Sequence, residues 1–117
     1  MSENIVLDKT YVFSLKIIEV SRFLSNEAKE YVLSKQLLRS GTSIGANTEE
    51  AIGGISKKDF IAKLSIAYKE ARETHYWLRL LRDSSLLDAN KADSLLVDCD
   101  EILRIIYSII KTSRNNL

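Results

Sequence analysis

A chain of 117 residues, 45% hydrophobic and 28% charged, is large enough for one core and too apolar for intrinsic disorder, so a single domain over residues 1–117 is expected. A net charge of +1 excludes a polyanion-binding chain of the uniformly basic kind. With no proline and only four glycines, the chain lacks the frequent turn chemistry that strand-rich folds require, and composition points to a few long helices.

From Asp8 to Leu24 the apolar residues Phe13, Ile17, Val20 and Leu24 are spaced four, three and four apart, which predicts a first amphipathic helix, widened by Tyr11, Leu15 and Ile18. The polar stretch Ser25 to Glu27 breaks the pattern and marks a connection. A second helix is predicted from Ala28 to Gly53, with Leu33, Leu37, Ser40, Ile44, Asn47 and Ala51 as its seam. Gly41 and Gly45 lie one turn apart beside that seam. A mid-helix glycine costs about 1 kcal/mol relative to alanine, so these two imply close approach of another helix backbone rather than a ligand cleft. Asn47 is expected to fix register if buried.

Gly53-Gly54 is expected to close the second helix with a left-handed residue, and Ser56 to cap the third, with Asp59 completing a capping box and Ile55 packing on Phe60 as a staple. The third helix, Lys57 to Arg82, repeats Phe60, Leu64, Ala67, Ala71, Thr74, Leu78 and Leu81 at four and three and would be a rod of about 39 Å. Ala67 and Ala71 are expected at the level of Ile44 and Ser40. Trp77, Leu80 and Ile66 on one side of this seam, and Ile61 and Tyr68 on the other, exceed what one bundle core needs. Asp88 is the expected cap of a fourth helix with the seam Leu95, Cys99, Ile102, Ile106 and Ile109, and the tail Ser113 to Leu117 is expected to fray. Short links between four such helices give an all-α, up-down-up-down antiparallel four-helix bundle.

Catalytic chemistry finds no constellation. Two-metal bundle sites use Glu-x-x-His pairs, but Arg72 stands three residues before the lone His75. Glu49, Glu50, Glu70 and Glu73 are better read as salt-bridge partners of Arg39, Lys63, Lys69 or Arg72. Cys99 sits on an apolar helical face as an inert thiol, unpaired in the chain. GTSIGANTEEAIGG has no phosphate-loop lysine and no preceding strand. No enzyme activity, cofactor or metal is expected. No apolar run approaches the roughly 18 residues of a membrane span, and the N-terminal MSENIVLDKT carries acids where a signal peptide needs bases, so a cytoplasmic protein without membrane association is expected.

The charge is unevenly placed: residues 56–85 carry seven Lys/Arg against four Asp/Glu. Lys57 and Lys58 stand at a helix N-terminus, whose free N–H groups favour phosphate. Lys63, Lys69, Arg72, Arg79 and Arg82 follow along the same helix, with Lys35 and Arg39 on its neighbour and Tyr76 and Trp77 as stacking surfaces. These nine cations are the candidate RNA- or DNA-binding residues. A solvated helix face explains the same pattern, and a structural or protein-binding module without nucleic-acid binding is the alternative.

The stretch from Lys35 to Leu81 resembles the small four-helix-bundle proteins encoded within intervening sequences of bacterial 23S ribosomal RNA, which often carry a ribosomal-protein-like label. The resemblance rests on Arg39, Ser43, Ile44 and Asn47, on Glu50, Ala51 and Gly53, and on the turn Ser56-Lys57-Lys58-Asp59-Phe60. The chain departs from that pattern at Gly45, where many relatives carry proline, and at Thr48, where many carry isoleucine. The resemblance implies a homo-oligomer, typically a pentameric ring, in which several copies of a basic helix would bind by multivalency. A more distant likeness to accessory proteins of diversity-generating retroelements implies nucleic acid and a reverse transcriptase as partners.

Overall fold

A computed structural model describes residues 2–116, with the side chains of residues 2–4 left undescribed. Among the described residues the chain forms α1 (Ser2–Asn26), α2 (Val32–Ile52), α3 (Lys57–Asp83) and α4 (Ala89–Asn115), with no strand. Each helix packs on the next, and α4 returns to α1 along a much narrower seam. The result is the antiparallel four-helix bundle anticipated from periodicity, 47 Å long and 21 by 19 Å across.

The core stripe of α1 begins earlier than expected, because Val6 and Thr10 are buried above Phe13, Ile17, Val20 and Leu24. Thr10 escapes a hydrophobicity-based reading, yet its hydroxyl donates to the Val6 carbonyl at 2.8 Å and so is buried at little cost. In α2 the buried stripe is Ser34, Leu37, Gly41, Ile44, Thr48 and Ala51, with Ser40 and Gly45 beside it. The predicted seam therefore turns toward α1. Leu33 and Asn47 are only half-buried, and the Asn47 amide donates to its own helix at the Ser43 carbonyl, 2.8 Å away, rather than fixing register.

Small residues on the α1 side permit this rotation. A Cβ built on Gly41 would lie 2.8 Å from both Cγ1 and Cγ2 of Ile17, and one on Gly45 would lie 3.4 Å from the Thr10 carbonyl oxygen. The expected close approach is thus made by α1. Near the first turn, the Ser34 hydroxyl donates to the Ser21 carbonyl at 2.9 Å and lies 2.8 and 2.9 Å from the hydroxyls of Ser21 and Ser25, so a polar seam closes without an orphaned group. Across α2 and α3, Thr74 Oγ1 donates to Ser40 Oγ at 2.9 Å. Ser40 therefore stands level with Thr74, a turn from the expected Ala71.

The connections correct several expectations. The first link lies at Glu27–Tyr31, later than Ser25 to Glu27, and it turns without glycine because Lys29 takes a left-handed φ of 56°. Gly53 has φ −81° and no glycine is left-handed. Gly54 is required for space instead: a Cβ there would lie 2.9 Å from the Ala51 carbonyl oxygen and 2.6 Å from Asp59 Oδ2. Ser56 accepts the Asp59 N–H at 3.0 Å as expected, whereas Ile55 is 99% exposed and staples nothing. Asp88 accepts the Lys91 N–H at 3.1 Å and caps α4. That helix continues through Asn115, so Ser113 to Asn115 are helical rather than frayed; Leu117 lies outside the described residues.

Candidate nucleic-acid interface

The nine candidate cations divide into two groups. Three are committed to carboxylates. Arg39 reaches from α2 to α3, where its guanidinium pairs with Glu70 at 3.2 Å and with Glu73. Glu73 Oε2 also accepts the Trp77 indole N–H at 2.9 Å, so Arg39, Glu73 and Trp77 form one clamp on the α2–α3 seam. Lys63 pairs with Glu50 at 3.0 Å; the hydrogen bond and charge of that carboxylate hold the Lys63 ammonium above its usual range. Arg82 lies 2.9 Å from both Asp83 and Asp93. The two hydrogen bonds raise its affinity for its proton, and the Asp83 carboxyl is correspondingly lowered. Of the expected salt bridges, Glu50, Glu70 and Glu73 form theirs with Lys63 and Arg39, and Glu49, Lys69 and Arg72 form none among the described residues.

The other six, Lys35, Lys57, Lys58, Lys69, Arg72 and Arg79, are exposed and have no carboxylate partner among the described residues. Five of them belong to α3. Lys57 Nζ, at the start of α3, donates to the Asn116 carbonyl oxygen at the C-terminal end of α4, 3.4 Å away. Lys58 follows on the first turn. Arg72 and Arg79 lie two turns apart on the side facing α4, and the Arg79 guanidinium carbon stands 5.7 Å from the centre of the Tyr76 ring. Tyr76 is 47% exposed and meets Trp77 edge-on with 5.3 Å between centroids. Trp77 packs against the core and is better placed as a wedge than as a stacking surface.

The α3–α4 groove holds groups that sequence reading did not assemble. Tyr68, Arg72, Asp100, Leu103, Arg104 and Tyr107 line one depression, which shares Arg72, Asp100 and Leu103 with a second lined also by Glu73, His75, Tyr76 and Arg79. Tyr68 and Tyr107 face each other with centroids 6.1 Å apart and planes inclined at 46°. Asp100 Oδ1 lies 3.1 Å from His75 Nε2. Tyr68 reads in sequence only as width on the α3 seam, and Arg104 and Tyr107 as residues of a helix with four basic and four acidic side chains. Only the pairing of α3 with α4 makes them neighbours.

Cys99 is buried in the core where α4 meets α3, donates to the Ala71 carbonyl at 3.3 Å, and its thiol is pushed up to about 12 by burial and then by Asp100 and Asp98. Among the described residues no three His, Cys, Asp or Glu side chains cluster as a metal site, and no helix is long and apolar enough to cross a membrane.

Comparison with known proteins gives one family and one fold. The family described as 23S rRNA-intervening sequence protein matches residues 2–108. A crystal structure of a protein of unknown function from the S23 ribosomal protein family of Bacteroides thetaiotaomicron VPI-5482 is 50% identical, with a TM-score of 0.93 over 95% of this chain and 99% of the other. A search among curated proteins finds no match.

Proposed function

The chain belongs to the 23S rRNA-intervening sequence protein family, and from that premise we propose that it is a non-enzymatic, homo-oligomeric bundle of the cytoplasm that binds RNA or DNA through the basic face of α3. The observation that carries the reading is the set of five exposed α3 cations, Lys57, Lys58, Lys69, Arg72 and Arg79, left without carboxylate partners among the described residues. Cations already held by acids contribute little counterion release on binding, whereas free ones contribute fully. Arg39, Lys63 and Arg82 accordingly drop to a supporting role in the bundle itself.

One chain at +1 offers few phosphate contacts, so affinity would come from several copies presenting the same helix. The self-association half of the proposal draws on apolar surface that the bundle leaves open. Tyr11 is 63% exposed, Leu15 50% and Leu38 37%. Tyr11, Leu15 and Ile18 border a shallow groove with Thr42, Gly45 and Ala46 of α2. A pentameric ring is the assembly to which the family resemblance points, and a reverse transcriptase is the protein partner that the retroelement likeness would supply. The apolar face equally suits a protein-interaction module that ignores nucleic acid, which is the second reading.

The double variant Lys57→Ala/Lys58→Ala separates them. Both side chains are exposed, so folding should be unaffected. Under the first reading, RNA or DNA affinity falls and the slope of log K against log salt flattens by about 0.7–0.9 per lost phosphate contact. Under the second, no nucleic acid binds at low salt and the variant behaves as the parent.

A further inference from the structure

We propose that the α3–α4 groove is a single-strand site, in which Tyr107, backed by Tyr68, and Tyr76 stack unpaired bases while Arg72, Arg79 and Arg104 hold the phosphates of the same strand. This rests on the nucleic-acid reading and narrows it to one strand class and one groove, adding residues from α4 that the basic-helix reading does not include.

Three observations carry it. First, the groove is continuous: its two depressions share Arg72, Asp100 and Leu103, and Arg72 and Arg79 are separated by about 10 Å of helix rise. Second, its charges are matched to a polyanion. Arg72, Arg79 and Arg104 are exposed and have no carboxylate partner among the described residues. Of the two acids in the groove, Glu73 is engaged by Arg39 and Trp77, and Asp100 lies 3.1 Å from His75 Nε2, a contact that offsets its charge only with a protonated imidazole. Third, two aromatic rings stand exposed beside the arginines, while Tyr68, half-buried against the core, backs one of them. Tyr107 is 56% exposed and Tyr76 47%, and Tyr107 is inclined to Tyr68 rather than stacked flat on it.

A duplex would use the arginines and leave the rings idle, because its base faces are already stacked. An unpaired strand uses both: each base presents a π-face to a ring, while the backbone tracks the cations. Stacking also tolerates any base, so the groove should bind with little sequence preference.

The test is fluorescence anisotropy of the full chain with labelled oligo(U) and oligo(dT), each against a duplex of equal length, across a salt series. Tyr107→Ala should weaken single-strand binding by roughly 5- to 150-fold with the salt slope unchanged, and Tyr107→Phe should restore it. Arg72→Ala or Arg104→Ala should each flatten the single-strand slope by about 0.7. Equal binding of duplex and single strand, sensitive to Lys57→Ala/Lys58→Ala but not to Tyr107→Ala or Arg104→Ala, would overturn the groove and leave the broader proposal standing. If neither probe binds at low salt, both fail together.

Discussion

Gly41 and Gly45 set the distance between α1 and α2, and they do so by absence of a side chain rather than by unusual backbone. At Gly41 an added methyl group would meet the branched carbons of Ile17 at 2.8 Å, so Ile17 or the helix axis must move. Gly41→Ala therefore sets two effects against each other: alanine improves helix propensity by about 1 kcal/mol, while overpacking a closed core costs about 1–3 kcal/mol. The contact is with the β-branched trunk of Ile17, which cannot swing aside, so overpacking wins. The variant should unfold at lower urea with an unchanged m-value, and a raised midpoint would contradict the packing assigned to this glycine. Cys99 yields a second residue-scale prediction. Its thiol rises from 9.0 to about 12 in the fold, so above pH 9 the unfolded chain loses this proton while the folded chain keeps it. Stability should fall with rising pH across that window, less steeply in Cys99→Ala. Urea titrations of both proteins at pH 8 and pH 10 would show it, and parallel pH dependence in the two would refute it.

At the scale of elements, periodicity made the helices legible and left their ends less so. Phe60 to Leu81 of α3 gave both its span and its buried face, because every seam position is apolar or small and one, Thr74, finds the hydroxyl of Ser40. The α2 seam was read correctly at Leu37, Ser40, Ile44 and Ala51 and missed at Leu33 and Asn47, because burial there passes to Ser34 and Thr48, residue types whose inward placement depends on α1 being close. The α1–α2 link was misplaced because Lys29 makes the turn in a left-handed conformation with neither glycine nor proline to announce it. Glu30 then serves in place of a cap residue, accepting the N–H groups of Val32 and Leu33 at 2.9 and 3.0 Å. The α3 start was legible, since Ser56 has the extended backbone and side-chain bond of an N-cap. Ser56→Ala should cost about 0.5–2 kcal/mol in chemical denaturation, and it should do so without altering oligomeric mass. Loss of less than a few tenths would mean the cap is redundant with neighbouring turns.

For the whole molecule, the candidate site was half legible. The excess of cations between residues 56 and 85 is plain in the sequence, but which of them are free depends on where Glu50, Glu70, Glu73 and Asp93 fall across helix interfaces. Pairing removes Arg39, Lys63 and Arg82 from the candidate site, and the meeting of α3 with α4 brings Arg104 and Tyr107 beside Arg72 and Tyr68. Of the surplus apolar positions read on α3, Ile66 and Leu80 are exposed while Ile61, Tyr68 and Trp77 pack against the core; Tyr11 and Leu15, read as part of the buried α1 stripe, lie open instead, with Leu38 of α2. Apolar surface on one side and unpaired cations on another fit a particle that self-associates through the first and presents the second in several copies. The most direct measurement is the light-scattering mass of the purified chain, alone and with oligo(U), from low to high salt. The account predicts a mass several times the 13.3 kDa of one chain, with RNA bound at low salt and released steeply as salt rises. A stable monomer at 13.3 kDa whose mass does not respond to RNA at any salt concentration would contradict it.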